Sequence, residues 1–261
     1  MEFLFNHTPL WIALPVFVLS FLVLTWGVLL VVRPWVKRAA RANEEWDRVL
    51  NYAMSSYGIF YGILLALIAV SVYENFQRVD VIVVDETSAL AALYRAVSAY
   101  PDPYSLQLQD HLREYTYNVI NVDWPIQREN VIPSEGNSGV DRLQALLLGF
   151  EPQTTGQTAL HNQTLSVFFD FLEARRARLD ETELALPPML WVLLTVGAML
   201  NALMLALVDV RNVRVHLIMS GIIAIFVAML IFVTASMDHP YAGQVSITPE
   251  PFQNLLDQLM K

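Results

Sequence analysis

MSSYGIFYGILLALIAVSVY, residues 54–73, is followed without interruption by ENFQRVDVIVVDETSALAALYRAVSAY, residues 74–100. The first twenty residues carry no charge. A hydrocarbon core of ~30 Å needs about 20 helical residues to cross it. The following residues are charged, yet no proline or glycine interrupts them before Pro101. Val72, Phe76, Val79, Val83, Leu90, Leu93 and Val97 recur at intervals of three and four, with Glu86 occupying one step. That spacing is a heptad-like stripe. A membrane span therefore continues as a helix into a polar region.

Three more runs have membrane length. Residues 9–32 and 188–208 are uncharged, and 215–237 holds only His216 near its start. Over the 261 residues the hydrophobic share is 55% and the mean hydropathy is +0.43. Soluble domains are ~45–50% apolar. The first run lacks a basic leader and is followed by basic residues, which marks a retained span rather than a signal peptide. The fold class is an all-α integral membrane protein. Four transmembrane helices form two hairpins, and a helical bundle extends from helices two and three.

The chain divides accordingly. Residues 1–74 form the first hairpin, with spans near 9–32 and 54–73 and a loop from Arg33 to Ala53 between them. Residues 75–186 form a helical extramembrane domain, 187–237 the second hairpin, and 238–261 a tail with a short amphipathic helix. Within the domain, helices are expected over Tyr104–Val122, Val140–Phe150 and Gln157–Leu186. The Tyr104–Val122 helix aligns Leu108, Leu112, Tyr115, Val119 and Val122. In the tail, Thr248 is a candidate N-cap before Pro249 and Glu250.

Short-loop Lys and Arg set orientation. The first hairpin loop holds Arg33, Lys37, Arg38, Arg41 and Arg48, and the second holds Arg211 and Arg214. Both loops are expected in the cytoplasm, with both termini and the central domain extracytoplasmic. Trp35 and Trp46 give the first loop the character of an interfacial segment that attracts anionic lipid. The central domain has eight arginines against sixteen acids. An entrance of that charge concentrates cations.

Several residues are candidates for function. Gly58 and Gly62 form GxxxG, and Ser55, Ala66 and Ala69 extend the small-residue stripe. Such a stripe packs helices closely in lipid. Alternatively it lines a pore, with Ser55, Ser56, Tyr57 and Tyr61 offering hydroxyls to an ion. Asn201 lies mid-span, where its amide needs an interhelical partner or a water-filled path. Glu86 on the apolar stripe is costly unless paired. Arg95, Arg175 or Arg176 is the expected partner, unless the stripe drifts and exposes the carboxylate. An intersubunit latch or ion site is the alternative. Asp238, Pro240 and Gly243 end the last span, since a residue before proline leaves the helix and glycine permits a turn.

No catalytic constellation is present. HExxH, P-loop and GxSxG motifs are missing, as are cysteines. The five histidines lack metal-ligand spacing. The reading is a non-enzyme with no cofactor, no metal site and no nucleic-acid partner.

The ending MDHPYAGQVSITPEPF, residues 237–252, resembles that of a bacterial membrane family with a bestrophin-like domain. YGILLALI (61–68), VDETSALAALYR (84–95, with Glu86) and YTYNVINVDWP (115–125) resemble it too. The resemblance implies a bacterial inner-membrane location and a homo-oligomer in the lipid bilayer with a central path for inorganic ions. It implies anions such as chloride, whereas the acidic domain favours cations. The alternative is a non-conducting sensor or assembly platform.

Overall fold

The computed structural model describes residues 9–42, 45–133 and 137–261. It is helical, and no strand occurs among the described residues. The helices are α1 (Leu10–Ala42), α2 (Trp46–Val97), α3 (Tyr104–Asn118), α4 (Trp124–Gln127), α5 (Asn137–Leu148), α6 (Thr155–Asp180), α7 (Pro188–Ala206), α8 (Val213–Met237) and α9 (Glu250–Gln258). A π-helical turn, Val119–Asp123, joins α3 to α4. Among the described residues, four helices are long and apolar enough to cross a membrane: α1, α2, α7 and α8.

Two units result, Met1–Glu74 with Ala185–Asp238, and Asn75–Leu184 with His239–Lys261. Helix α2 contributes its first part to one and its remainder to the other.

In the membrane unit α1 packs on α7 and α8. Tyr61, Leu65, Ile68 and Val72 of α2 bury against Leu194, Ala198, Val227 and Ile231. Large apolar side chains such as Phe60 (73% exposed) and Leu67 (65%) face outward. In a bilayer this is the expected arrangement, because lipid solvates apolar surface as well as a protein core does. Trp26 Nε1 donates to Leu217 O at 3.1 Å, and its ring packs 3.2 Å from where a Cβ at Gly221 would lie. Glycine there lets α1 and α8 approach.

The expected loop from Arg33 to Ala53 is largely helical instead. α1 runs on to Ala42, and α2 begins at Trp46. Alanine and arginine, the main components of residues 38–42, are strong helix formers, and no glycine intervenes.

In the second unit the stripe on α2 is the core: Val79, Val83, Leu90, Leu93 and Val97 are fully buried. Leu108, Leu112, Tyr115 and Val119 of α3, with Phe168 and Phe171 of α6, complete it. The expected helix to Val122 differs in phase. The π turn inserts an extra residue into the helical register. Val122 is left half-buried, and Asp123 and Trp124 point inward. Helix α6 stops at Asp180 rather than Leu186, and a 3-10 turn follows over Glu181–Glu183. The tail helix α9 buries Phe252 and packs Leu255, Leu256 and Leu259 on this core. Thr248 does not cap it; the N-cap position is Pro249, without a side-chain hydrogen bond.

Candidate functional site

The small-residue face of α2 and its tyrosines point in different directions. Tyr61 is buried, and its hydroxyl donates to Leu194 O at 3.2 Å. Tyr57 donates to Gly197 O, and the two rings stack at 5.7 Å. Both tyrosines are thus committed to α7. Gly197 makes room for this contact, because a Cβ added there would run into the Tyr61 ring. Ser55, Gly58, Gly62 and Ala66 lie on the exposed side of α2. Nothing lies within 4 Å of a Cβ built at Gly58 or Gly62. Among the described residues, the GxxxG stripe therefore packs on no other helix. Ser56 is half-buried.

Asn201 is half-buried and makes no side-chain hydrogen bond to a described residue. His216 Nε2 lies 2.9 Å from Leu205 O, which ties α8 to the end of α7. Asp238 is buried. Its carboxylate accepts from Leu186 N at 2.7 Å and from Trp191 Nε1 at 2.9 Å. It thereby fixes the chain just ahead of α7, at Pro187–Pro188. In the second unit Pro240 O accepts from Ile247 N at 2.9 Å, and Gly243 has φ 81°. That left-handed conformation is easy only for glycine.

Glu86 is fully buried, which removes the exposed alternative. Its ion-pair partner is Arg178, whose Nε donates to Oε2 at 2.5 Å. Of the three expected partners, Arg95 is exposed on α2, and Arg176 lies 3.9 Å from Asp180. Arg175 is itself buried on α6. Tyr115 donates to Glu86 Oε1 at 2.5 Å. Arg178 Nη1 donates to Gln127 Oε1, and Gln127 Nε2 donates to Thr182 Oγ1 at 2.7 Å. Arg178 Nη2 is 3.6 Å from Asp123 Oδ2. The guanidinium lies 6.0 Å from the Trp124 ring and 5.7 Å from Phe252. Tyr241, from the resembling tail motif, donates to Arg178 O at 3.3 Å.

Burial alone would lower the Arg178 pKa, but the Glu86 carboxylate outweighs it and the value is raised. Tyr115 is pushed well up, first by burial and then by Glu86. The cluster thus joins α2, α3, the π turn, α6 and the tail through one cation that does not titrate. Sequence reasoning found Glu86 but missed Arg178, Asp123 and Gln127. A signal for Arg178 existed: Phe168, Phe171, Arg175 and Arg178 follow one helical stripe at steps of three and four. Asp123 had none, because the π turn that rotates it inward is not a periodic pattern.

Asp123 Oδ2 has no hydrogen-bond partner among the described residues. Burial raises its pKa, and Arg178 only partly offsets this. The folded carboxyl holds its proton above the ordinary ~3.9, so the unfolded chain binds fewer protons in that window. Stability therefore falls as pH rises from about 4 through the raised folded value. Asp123→Asn should flatten this fall in thermal unfolding midpoints. An identical slope in the variant would contradict the assignment.

A family model described as a bestrophin-like domain matches residues 19–252. Among solved structures, the chain is similar to a bacterial bestrophin homologue from Klebsiella pneumoniae, with TM-score 0.63 and 11% identity, covering 92% of this chain and 97% of that one. A structure described as a membrane protein has TM-score 0.60 and 11% identity, covering 89% of this chain and 97% of that one. At such identity the likeness concerns the fold. No curated protein matches the chain.

Proposed function

Because the chain belongs to the bestrophin-like family, we propose that it is a homo-oligomeric ion channel of the bacterial inner membrane, with the α2 face of Ser55, Gly58, Gly62 and Ala66 toward the axis. The observation that carries this reading is the exposure of that face while Tyr57 and Tyr61 are turned into the subunit. Small residues allow copies of α2 to approach an axis closely, and the Ser55 hydroxyl of each copy supplies a polar group along it. The family favours anions. The excess of acids over arginines in the central region favours cations at an entrance. The seven basic residues of the two membrane-unit connections support a cytoplasmic location for that end. A non-conducting sensor or platform is the competing reading, supported by the buried polar cluster around Arg178.

The absence of native cysteine makes the test direct. Ser55→Cys and Gly62→Cys should react with a charged, membrane-impermeant methanethiosulfonate in the assembled protein. Leu67→Cys, on a face of α2 well away from the stripe, should not. Equal protection of all three would remove the stripe from any water-filled path.

A further inference from the structure

We infer that the basic end of the membrane unit is a binding site for the headgroup phosphate of an anionic phospholipid. This rests on the four-span reading but not on ion conduction.

Helix α1 leaves its uncharged run at Val32 and continues as a helix to Ala42. Arg33 and Lys37 are one turn apart and share a face. Arg33 Nη2 donates to Val210 O at 3.4 Å and to Arg211 O at 3.2 Å. The cationic end of α1 is thus fixed against the turn between α7 and α8, which carries Arg211 and leads into Arg214 in the first turn of α8. Arg33 Nε is enclosed and meets no acceptor among the described residues. Arg48 with Glu45, at 3.3 Å, is the ion pair at this end among the described residues. Arg33, Lys37, Arg211 and Arg214 are paired with no described carboxylate. Asn212 caps α8 by accepting from Arg214 N at 3.0 Å, so the positive end of the α8 dipole also faces this turn.

The surroundings select a lipid over a free anion. Trp46 Nε1 donates to Leu207 O at 3.1 Å, and Trp35 meets Trp46 edge-on at 5.9 Å. Tryptophans of this kind mark the headgroup level. Within about one helical turn of Arg33 and Arg214 along the chain, Leu30, Val31, Val215 and Ile218 are exposed apolar side chains of α1 and α8. A phosphodiester can accept from the arginine forks while its acyl chains lie on that apolar surface.

The test uses tryptophan-fluorescence unfolding of the full chain in a neutral detergent. Phosphatidylglycerol should raise the midpoint, while phosphatidylcholine and glycerol 1-phosphate at equal concentration should not. In the triple variant Lys37→Gln, Arg211→Gln, Arg214→Gln, the affinity for phosphatidylglycerol should fall on the order of a hundredfold. Native mass spectrometry of the wild type should show retained anionic lipid that is lost in high salt, a readout that does not depend on the variant folding. Equal response to both lipids, an undiminished response in the variant, or no retained anionic lipid would overturn the proposal. An equal shift with glycerol 1-phosphate would reveal a plain anion site and overturn the lipid assignment.

Discussion

Arg178→Met is expected to destabilise the helical unit by about 3–5 kcal/mol, lowering its unfolding midpoint by roughly 10 °C or more. The substitution leaves Glu86 as a buried carboxylate whose one remaining bond among the described residues is from Tyr115, at 2.5 Å. Gln127 and Asp123 lose their cation in the same step. Replacing both members of a buried pair is far less costly than removing one. Glu86→Leu combined with Arg178→Met should therefore recover part of the loss. Recovery stays partial because Asp123 and Gln127 remain without the guanidinium. Chemical and thermal unfolding, followed by circular dichroism, measure both variants. A loss below about 1 kcal/mol for Arg178→Met would mean that the cluster is hydrated and contributes little.

The second large effect concerns the membrane unit. Gly197→Ala should cost about 1–3 kcal/mol, the usual range for overpacking. The added methyl falls on the Tyr61 ring, and that ring is buried with its hydroxyl bonded to Leu194 O. Moving it also disturbs the stacked Tyr57, which donates to Gly197 O itself. Tyr61→Ala in the same chain should make room for the methyl, so the double variant loses less than the sum of the single ones. Gly58→Ala and Gly62→Ala meet open space within the subunit. With nothing to clash with, they should leave the chain unchanged or up to about 1 kcal/mol more stable, since alanine is the better helix former. A loss of stability would then come from contacts between copies in the proposed oligomer. Unfolding midpoints in detergent for the four single variants and the double variant separate these outcomes. A harmless Gly197→Ala would contradict the packing described for α2 on α7.

What the sequence made legible follows from where periodicity carries the information. The four spans are long uncharged runs, and the stripe from Val79 to Val97 is a heptad, so both could be read without coordinates. Glu86 could be singled out because it breaks that stripe. Its partner was misassigned because Arg175, Arg176 and Arg178 lie within one turn of α6, and only packing decides which guanidinium faces inward. Val122 was placed on the buried face of a regular helix, but the π turn gives that place to Asp123. The helical continuation of α1 past Arg33 is not legible in the sequence, because charge marks the end of a membrane run, not the end of a helix. Gly197 carried no signal, since its importance depends on a tyrosine more than a hundred residues earlier.

The claim that the chain conducts ions is tested most directly by flux in liposomes containing the purified protein, with chloride and potassium gradients imposed separately. Selective flux is expected, strongly reduced by Gly62→Leu, because the added side chain projects from the exposed stripe of α2 toward the proposed axis. Absence of flux of either ion from a folded oligomer, over a range of pH and calcium, would contradict it and favour the non-conducting platform.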